Sequence, residues 1–300
     1  MPEQITMTIL GTTCMVPTKD RNHSASFLRY NRYGLLFDCG EGTQRQLKKA
    51  DLRLTEITHL FISHWHGDHV LGIPGLLQSL GASEYQKTLH IYGPKGTKTH
   101  MEYMFKAFVF DSRIDLRVHE ITEGLCLETR HFRIEAYPLE HGIKTLGYRF
   151  IETDHRRIDL DFIRKEGIPQ GPELGRLQNN ESITHEGRTI TPEQATYLVP
   201  GRKIGIIADT LFCPNCNTIA KDADLLISEA SFASNLEDKA IENKHLTALQ
   251  AAQIASQNNV KKLVLTHFSA RYKTCEEIEQ DAKTVFPETY CAYDLMKLRV

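Results

Sequence analysis

The stretch of this 300-residue chain that most restricts its fold is His64-Trp-His-Gly-Asp-His69, with four potential metal ligands in six residues. It follows directly on the apolar run Leu60-Phe-Ile-Ser63, so the ligands leave the C-terminal end of a strand and can converge on one point. Gly67 allows the tight backbone turn that such convergence needs. Imidazole and carboxylate suit zinc, and three or four protein ligands per ion leave a position for water. A chain built around this cluster has to bring further ligands to the same end of its strands.

Three candidates occur in that setting. His141 follows the apolar run 134–139, Asp209 follows Ile204-Gly-Ile-Ile-Ala208, and His267 follows Leu263-Val-Leu-Thr266. Seven ligands are too many for one tetrahedral zinc and suit two. The allotment expected is His64, His66 and His141 on the first ion and Asp68, His69 and His267 on the second, with Asp209 bridging. Two zinc ions so placed would activate a water for in-line attack on phosphorus. The remaining histidines (His23, His59, His90, His100, His119, His131, His155, His185) show no comparable clustering and read as surface or core-edge residues. Cys213-Pro-Asn-Cys216 is a single CxxC without a second and reads as structural.

The pattern around these residues alternates short β-rich runs with helical ones. Strands are predicted near 5–10, 25–30, 34–38, 58–62, 88–92, 114–119, 131–137, 146–151, 203–208, 224–228 and 261–266. Helices are predicted near 41–50, 70–81, 95–108, 214–221, 246–257 and 275–284, with Thr247-Ala-Leu-Gln250 as a capping box. The expectation is an α/β fold, an αββα sandwich of two packed mixed sheets with outer helices, spanning 1–300 as one domain. Residues 152–202 stand apart, being polar and punctuated by Gly167-Ile-Pro-Gln-Gly-Pro172 and Pro200-Gly201. Taken alone they read as a surface loop, although a segment of this length in a compact domain is more often functional, as a lid or binding arm.

Hydrophobic residues make up 41% of the chain, enough for a large core, yet no run approaches the length of a membrane span. The opening Met1-Pro-Glu-Gln4 lacks the features of a secretory signal. Seven scattered cysteines fit a reducing compartment, so a cytoplasmic protein is expected. The net charge of −2 excludes nucleic-acid binding by bulk electrostatics. Any nucleic-acid role must rest on local patches and on metals.

Through HxHxDH the chain resembles the metallo-β-lactamase superfamily. More closely, it is similar to the tRNase Z (ribonuclease Z) family in its short form. The resemblance runs through Leu10-Gly-Thr12, Pro17-Thr-Lys-Asp-Arg-Asn22 and Phe37-Asp-Cys-Gly-Glu-Gly-Thr-Gln44, then Phe61 to His69 with Gly72-Ile-Pro-Gly-Leu-Leu77. It continues in His141 through Phe150, Ser228-Glu229-Ala230, His245-Leu-Thr247 and Thr266-His-Phe-Ser-Ala-Arg-Tyr272. The chain departs from the family in Thr13, where a glycine is usual, and in Ala208, which replaces the glycine before the bridging aspartate.

The resemblance implies a zinc-dependent endoribonuclease that removes the 3′ trailer from precursor tRNA. The cut falls after the discriminator nucleotide and leaves a tRNA 3′-hydroxyl and a trailer 5′-phosphate. Asp68 would accept a proton, and His245, oriented by Glu229, would protonate the leaving oxygen. Arg271, Arg21 and Asn22 would contact substrate. Gly171 and Pro172 would belong to an exosite arm within 152–202 that grips tRNA, and a homodimer with no membrane association is implied. The rivals are a small-molecule phosphodiesterase or arylsulfatase-like hydrolase on the same fold, and a non-catalytic RNA-binding protein. The arm discriminates the first and intact ligands discriminate the second.

Overall fold

The computed structural model describes residues 4–109 and 113–300. Met1, Pro2 and Glu3, read above for a leader, lie outside the described residues. The chain divides into two units, the first comprising Met1–Glu128, Ile134–Phe150 and Lys203–Val300, the second Thr129–Arg133 and Ile151–Arg202.

The first unit is built on two seven-stranded sheets. One runs in the order Lys297–Arg299, Thr6–Gly11, Ala25–Tyr30, Tyr33–Phe37, Ile57–Phe61, Thr88–Pro94, Asp115–Ile121, antiparallel up to Tyr33–Phe37 and parallel beyond it. The other runs Thr289–Cys291, Leu263–Thr266, Leu225–Glu229, Lys203–Ile207, Thr145–Glu152, Phe132–Leu139, Gly124–Glu128, with its first four strands parallel. Every residue of Leu225–Glu229 is buried, as expected of a parallel strand covered on both faces.

The sheets meet face to face through aromatic rings. Tyr148 of the second lies 5.9 Å from Phe37 and 5.4 Å from Phe61 of the first, and its hydroxyl donates to the Ile62 carbonyl at 2.7 Å. Helices Thr43–Lys49, Ile73–Ala82 and Thr97–Ala107 cover the first sheet through Leu47, Leu76, Leu80 and Met101. Pro214–Ala220, Ala248–Gln257 and Glu276–Lys283 cover the second. Ala251, Ala252 and Ala255 let Ala248–Gln257 approach closely, and the capping box forms, Gln250 N donating to Thr247 Oγ1 at 3.2 Å and Thr247 N to Gln250 Oε1 at 3.0 Å. The fold is therefore an αββα sandwich. Among the described residues no helix is long and apolar enough to cross a membrane.

Three histidines that show no clustering in the sequence do cluster here, because their strands are neighbours. His59 stacks on His90 with ring centroids 5.2 Å apart, and His90 Nδ1 lies 3.2 Å from His119 Nε2. Burial, reinforced by those two rings, pulls His59 down to about 4.

The second unit has regular structure where its proline and glycine content reads as loop. Strands His155–Ile158 and Thr196–Val199 pair, as do Ile183–His185 and Arg188–Ile190. Helices Leu160–Lys165, Pro172–Gln178 and Pro192–Ala195 surround a small core of Ile163, Ile168, Leu177, Ile183, Ile190 and Ala195. Its entry and exit strands are tied together. Glu152 N donates to the Arg202 carbonyl at 2.9 Å, and the Arg202 guanidinium donates to Glu152 Oε1 at 2.6 Å. A Cβ on Gly201 would sit 1.9 Å from the Glu152 carbonyl oxygen, so only glycine fits there.

Candidate metal centre

Parallel strands end at the same edge of a sheet, which is how residues far apart in sequence meet. Lys203–Ile207, Leu225–Glu229 and Leu263–Thr266 run in register and deliver Asp209, Glu229 and His267 side by side. Ile57–Phe61 delivers the His64–His69 turn from the facing sheet, and Phe132–Leu139 delivers His141. All seven expected ligands belong to the first unit.

Their donor atoms fall into two sets that share Asp209. In the first, His64 Nε2 is 3.0 Å from His66 Nδ1, which is 3.3 Å from His141 Nε2; Asp209 Oδ2 is 3.7 Å from His64 and 4.0 Å from His141. In the second, His69 Nε2 is 3.3 Å from His267 Nε2 and 3.6 Å from Asp68 Oδ2. His267 Nε2 and Asp68 Oδ2 are 3.4 Å apart, and Asp209 Oδ2 is 3.5 Å from His69. Ligands ~2.0–2.1 Å from a tetrahedral zinc lie about 3.4 Å from one another, so both spacings fit a divalent ion. Asp209 Oδ1 is buried without a hydrogen-bond partner, which a cation would correct. The donor set and its geometry thus fit metal.

A second layer of residues turns four of the five imidazoles toward the cluster. His69 Nδ1 donates to Asp38 Oδ2 at 2.7 Å, and Asp38 also accepts from Ser63 N and Oγ at 2.7 and 2.8 Å. Ser63 Oγ in turn accepts from His64 Nδ1 at 2.9 Å. His141 Nδ1 donates to the Lys244 carbonyl at 2.9 Å, and His267 Nδ1 to Ser231 Oγ at 3.0 Å. Each bond engages one ring nitrogen and leaves the opposite one facing the cluster. Asp38, Lys244 and His267 all adopt positive φ (57°, 57° and 61°), so the site includes backbone in the left-handed region.

Asp38, Ser63, Ser231 and the Lys244 carbonyl are absent from the set read in the sequence. Asp38 carries the same signal as the others, a polar residue ending an apolar strand. The rest become visible only once the strands are in register.

Charge is distributed to match. Burial, with the crowding of His69, holds His64 well below the ordinary imidazole value. At His69 burial acts the same way, but the carboxylates of Asp209 and Asp38 outweigh it and raise the ring to about 10. Asp209 is held well below the usual carboxylate range in spite of burial, by His267 and His69.

Beside the cluster, Glu229 is a fully engaged buried carboxylate. Its Oε1 accepts from Thr210 N at 2.9 Å, Leu246 N at 3.0 Å and His245 Nδ1 at 3.0 Å, and its Oε2 accepts from Ser231 Oγ at 2.8 Å. Burial opposes protonation of His245, yet Glu229 prevails and lifts it to about 11, so it holds a proton at neutral pH. Arg271 is exposed; its guanidinium lies 5.1 Å over the Phe232 ring, itself 6.2 Å from His245.

Arg21 and Asn22 are held by hydrogen bonds within the chain. Arg21 donates to the Tyr272 carbonyl at 2.8 Å and to Cys275 Sγ at 3.2 Å, and Asn22 Nδ2 donates to the Glu41 carbonyl at 2.7 Å. These bonds pin the 12–24 segment. Gly171 and Pro172 start the helix Pro172–Gln178 in the second unit. The chain's single tryptophan, Trp65, sits between His64 and His66; its Nε1 donates to Thr97 Oγ1 at 2.9 Å and its ring stacks on His100 at 4.7 Å. Cys213 and Cys216 are buried with sulfurs 3.7 Å apart.

Residues 5–144 match a family model described as Anti-Pycsar protein Apyc1. The whole chain matches further. It is 39% identical over 299 residues to Ribonuclease Z of Archaeoglobus fulgidus, covering 98% of this chain and 97% of that one. It is 40% identical over 295 residues to Ribonuclease Z of Methanothermobacter thermautotrophicus, covering 98% and 96%. The chain belongs to the ribonuclease Z family. Among solved structures, human tRNase Z, short form, superposes with a TM-score of 0.73 at 28% identity over 98% of each chain. The metallo-β-lactamase fold protein YhfI from Bacillus subtilis, with a TM-score of 0.71 at 19% identity over 99% of this chain and 100% of that one, shares the fold. As a member of that family the chain carries its metal-ligand candidates and the Glu229–His245 pair within one 300-residue sequence.

Proposed function

We propose that the chain is an endoribonuclease that removes the 3′ trailer from precursor tRNA, cutting after the discriminator nucleotide to leave a tRNA 3′-hydroxyl and a trailer 5′-phosphate. The observation that carries the reading is His245, its Nδ1 3.0 Å from Glu229 Oε1, next to two donor sets that share Asp209. Family membership supplies the RNA substrate, and the pairing of an acid with two cation sites suits phosphodiester cleavage.

His64, His66, His141 and Asp209 would hold one zinc ion, and Asp68, His69, His267 and Asp209 a second. When bound, two such ions would neutralise charge on the phosphate and make a water acidic enough to ionise near neutral pH. Asp68 accepts the proton of the attacking water. His245 gives its proton to the departing 3′ oxygen, a poor leaving group that needs it. Glu229 holds His245 Nδ1, fixes the ring and keeps it charged. Arg271 offers a planar guanidinium fork to a phosphate at the rim. Arg21 and Asn22 contact the substrate as well.

Residues 152–202 serve as the exosite arm, with Gly171 and Pro172 at the helix start that contacts tRNA. Recognition of an A-form helix by shape and backbone suits a chain of net charge −2. The working form is a homodimer, as the resemblance implies, and its scattered cysteines fit the cytoplasm.

Incubation of zinc-loaded protein with a 3′-extended precursor tRNA, with the cut mapped to the nucleotide, tests this. One cut after the discriminator, lost in Asp68→Ala, is expected. Turnover of bis-p-nitrophenyl phosphate with no RNA cleavage would leave the metal chemistry and remove the tRNA assignment.

A further inference from the structure

One cysteine points into the site without having been assigned to it. Cys14 Sγ, a carboxylate oxygen of Asp68 and a ring nitrogen of His267 all lie within 4.8 Å of one another. The position of Cys14 follows from backbone constraints on both sides. The short strand Thr13–Cys14 pairs in parallel with Phe268–Ser269, placing Cys14 opposite Ser269, two residues beyond His267. The next residue, Met15, turns sharply at φ 54°, donates its N–H to Asp68 Oδ2 at 2.8 Å and has its carbonyl 3.0 Å from His23 Nε2. The sulfur is thereby held between the two residues expected to share an ion.

We propose that the Cys14 thiolate is a ligand of the ion held by Asp68, His69 and His267, making that position a carboxylate–imidazole–thiolate site. This rests on the metal-centre reading given above. On binding, Cys14 releases its S–H proton to solvent and the sulfur donates an electron pair; nothing is oxidised or reduced. Zinc–sulfur distances are ~2.3 Å, so donors now within 4.8 Å close onto a common ion with small side-chain adjustments. A thiolate makes the site soft. It should favour zinc and cadmium over manganese and magnesium, whereas carboxylate and imidazole alone accept all of these.

The test is cobalt substitution. Protein stripped with chelator and reloaded with two equivalents of Co(II) should show a near-ultraviolet thiolate-to-cobalt charge-transfer band together with visible d–d bands. Cys14→Ser should lose the first and keep the second, with an unchanged far-ultraviolet circular dichroism spectrum. Its preference for zinc over manganese, from competition titrations, should fall by at least about tenfold. A wild-type spectrum with d–d bands but no charge transfer, or a charge-transfer band that survives in Cys14→Ser, overturns the Cys14 assignment and leaves the metal centre standing. Absence of d–d bands in the wild type removes the metal centre itself, and this inference with it.

Discussion

Asp38 shows how much of the site is set by a residue that touches no substrate. It holds His69 at 2.7 Å and, through Ser63, steadies His64, so one carboxylate orients a ligand in each donor set. Asp38→Ala should therefore weaken metal binding about 10–100-fold, read by chelator competition, with the ligands themselves intact. His245 makes a different prediction. Its proton matters only where the leaving group needs one, so His245→Gln should slow precursor cleavage by roughly 10²–10⁴. Hydrolysis of bis-p-nitrophenyl phosphate, whose leaving group departs as a stable phenolate, should change little. Equal losses on both substrates would make His245 a structural residue. The ligand types were legible from sequence because HxHxDH compresses four of them into one turn and the other three each end an apolar run. Ser231 was not: it matters through hydrogen bonds at 3.0 and 2.8 Å to His267 and Glu229, a geometry that no spacing encodes.

At the scale of elements, the long helices and buried strands announced themselves through periodicity, and Thr247 through its cap. The short pieces of 152–202 did not. Leu160–Lys165 is six residues long and is started by Asp159, whose side chain accepts from Asp161 N and Phe162 N, a local signal too brief to show as a period. The core of that unit also decides how to remove it. Cutting 155–178 takes away Ile163, Ile168 and Leu177 and strands Ile183, Ile190 and Ala195 in water. Replacing 154–200 with a short Gly/Ser linker is the cleaner excision, because Glu152 and Arg202 already meet and closing a short loop costs little. That variant should keep hydrolysis of bis-p-nitrophenyl phosphate and lose precursor tRNA cleavage. Parallel loss of both would argue against an exosite in this segment.

For the molecule as a whole, the histidine stack in the first sheet ties stability to pH. His59 titrates near 4 when folded and near ~6.5 when unfolded, so between these values the unfolded chain binds the extra proton. Its contribution is complete above pH ~6.5 and is lost as pH falls toward 4, about 2 kcal/mol between pH 7 and 5. Urea denaturation at the two pH values should show this loss in the wild type and a smaller loss in His59→Phe; identical losses would assign the acid sensitivity elsewhere. Sequence could not show the stack, since it depends on which strands become neighbours. Trp65 carries a last consequence. As the chain's only indole, locked between two ligand histidines by Thr97 and laid against His100, it is the sole source of tryptophan fluorescence and reports from the rim of the metal site alone. The protein thus comes with its own optical probe, and ion or RNA binding can be followed in real time by emission from the unlabelled chain.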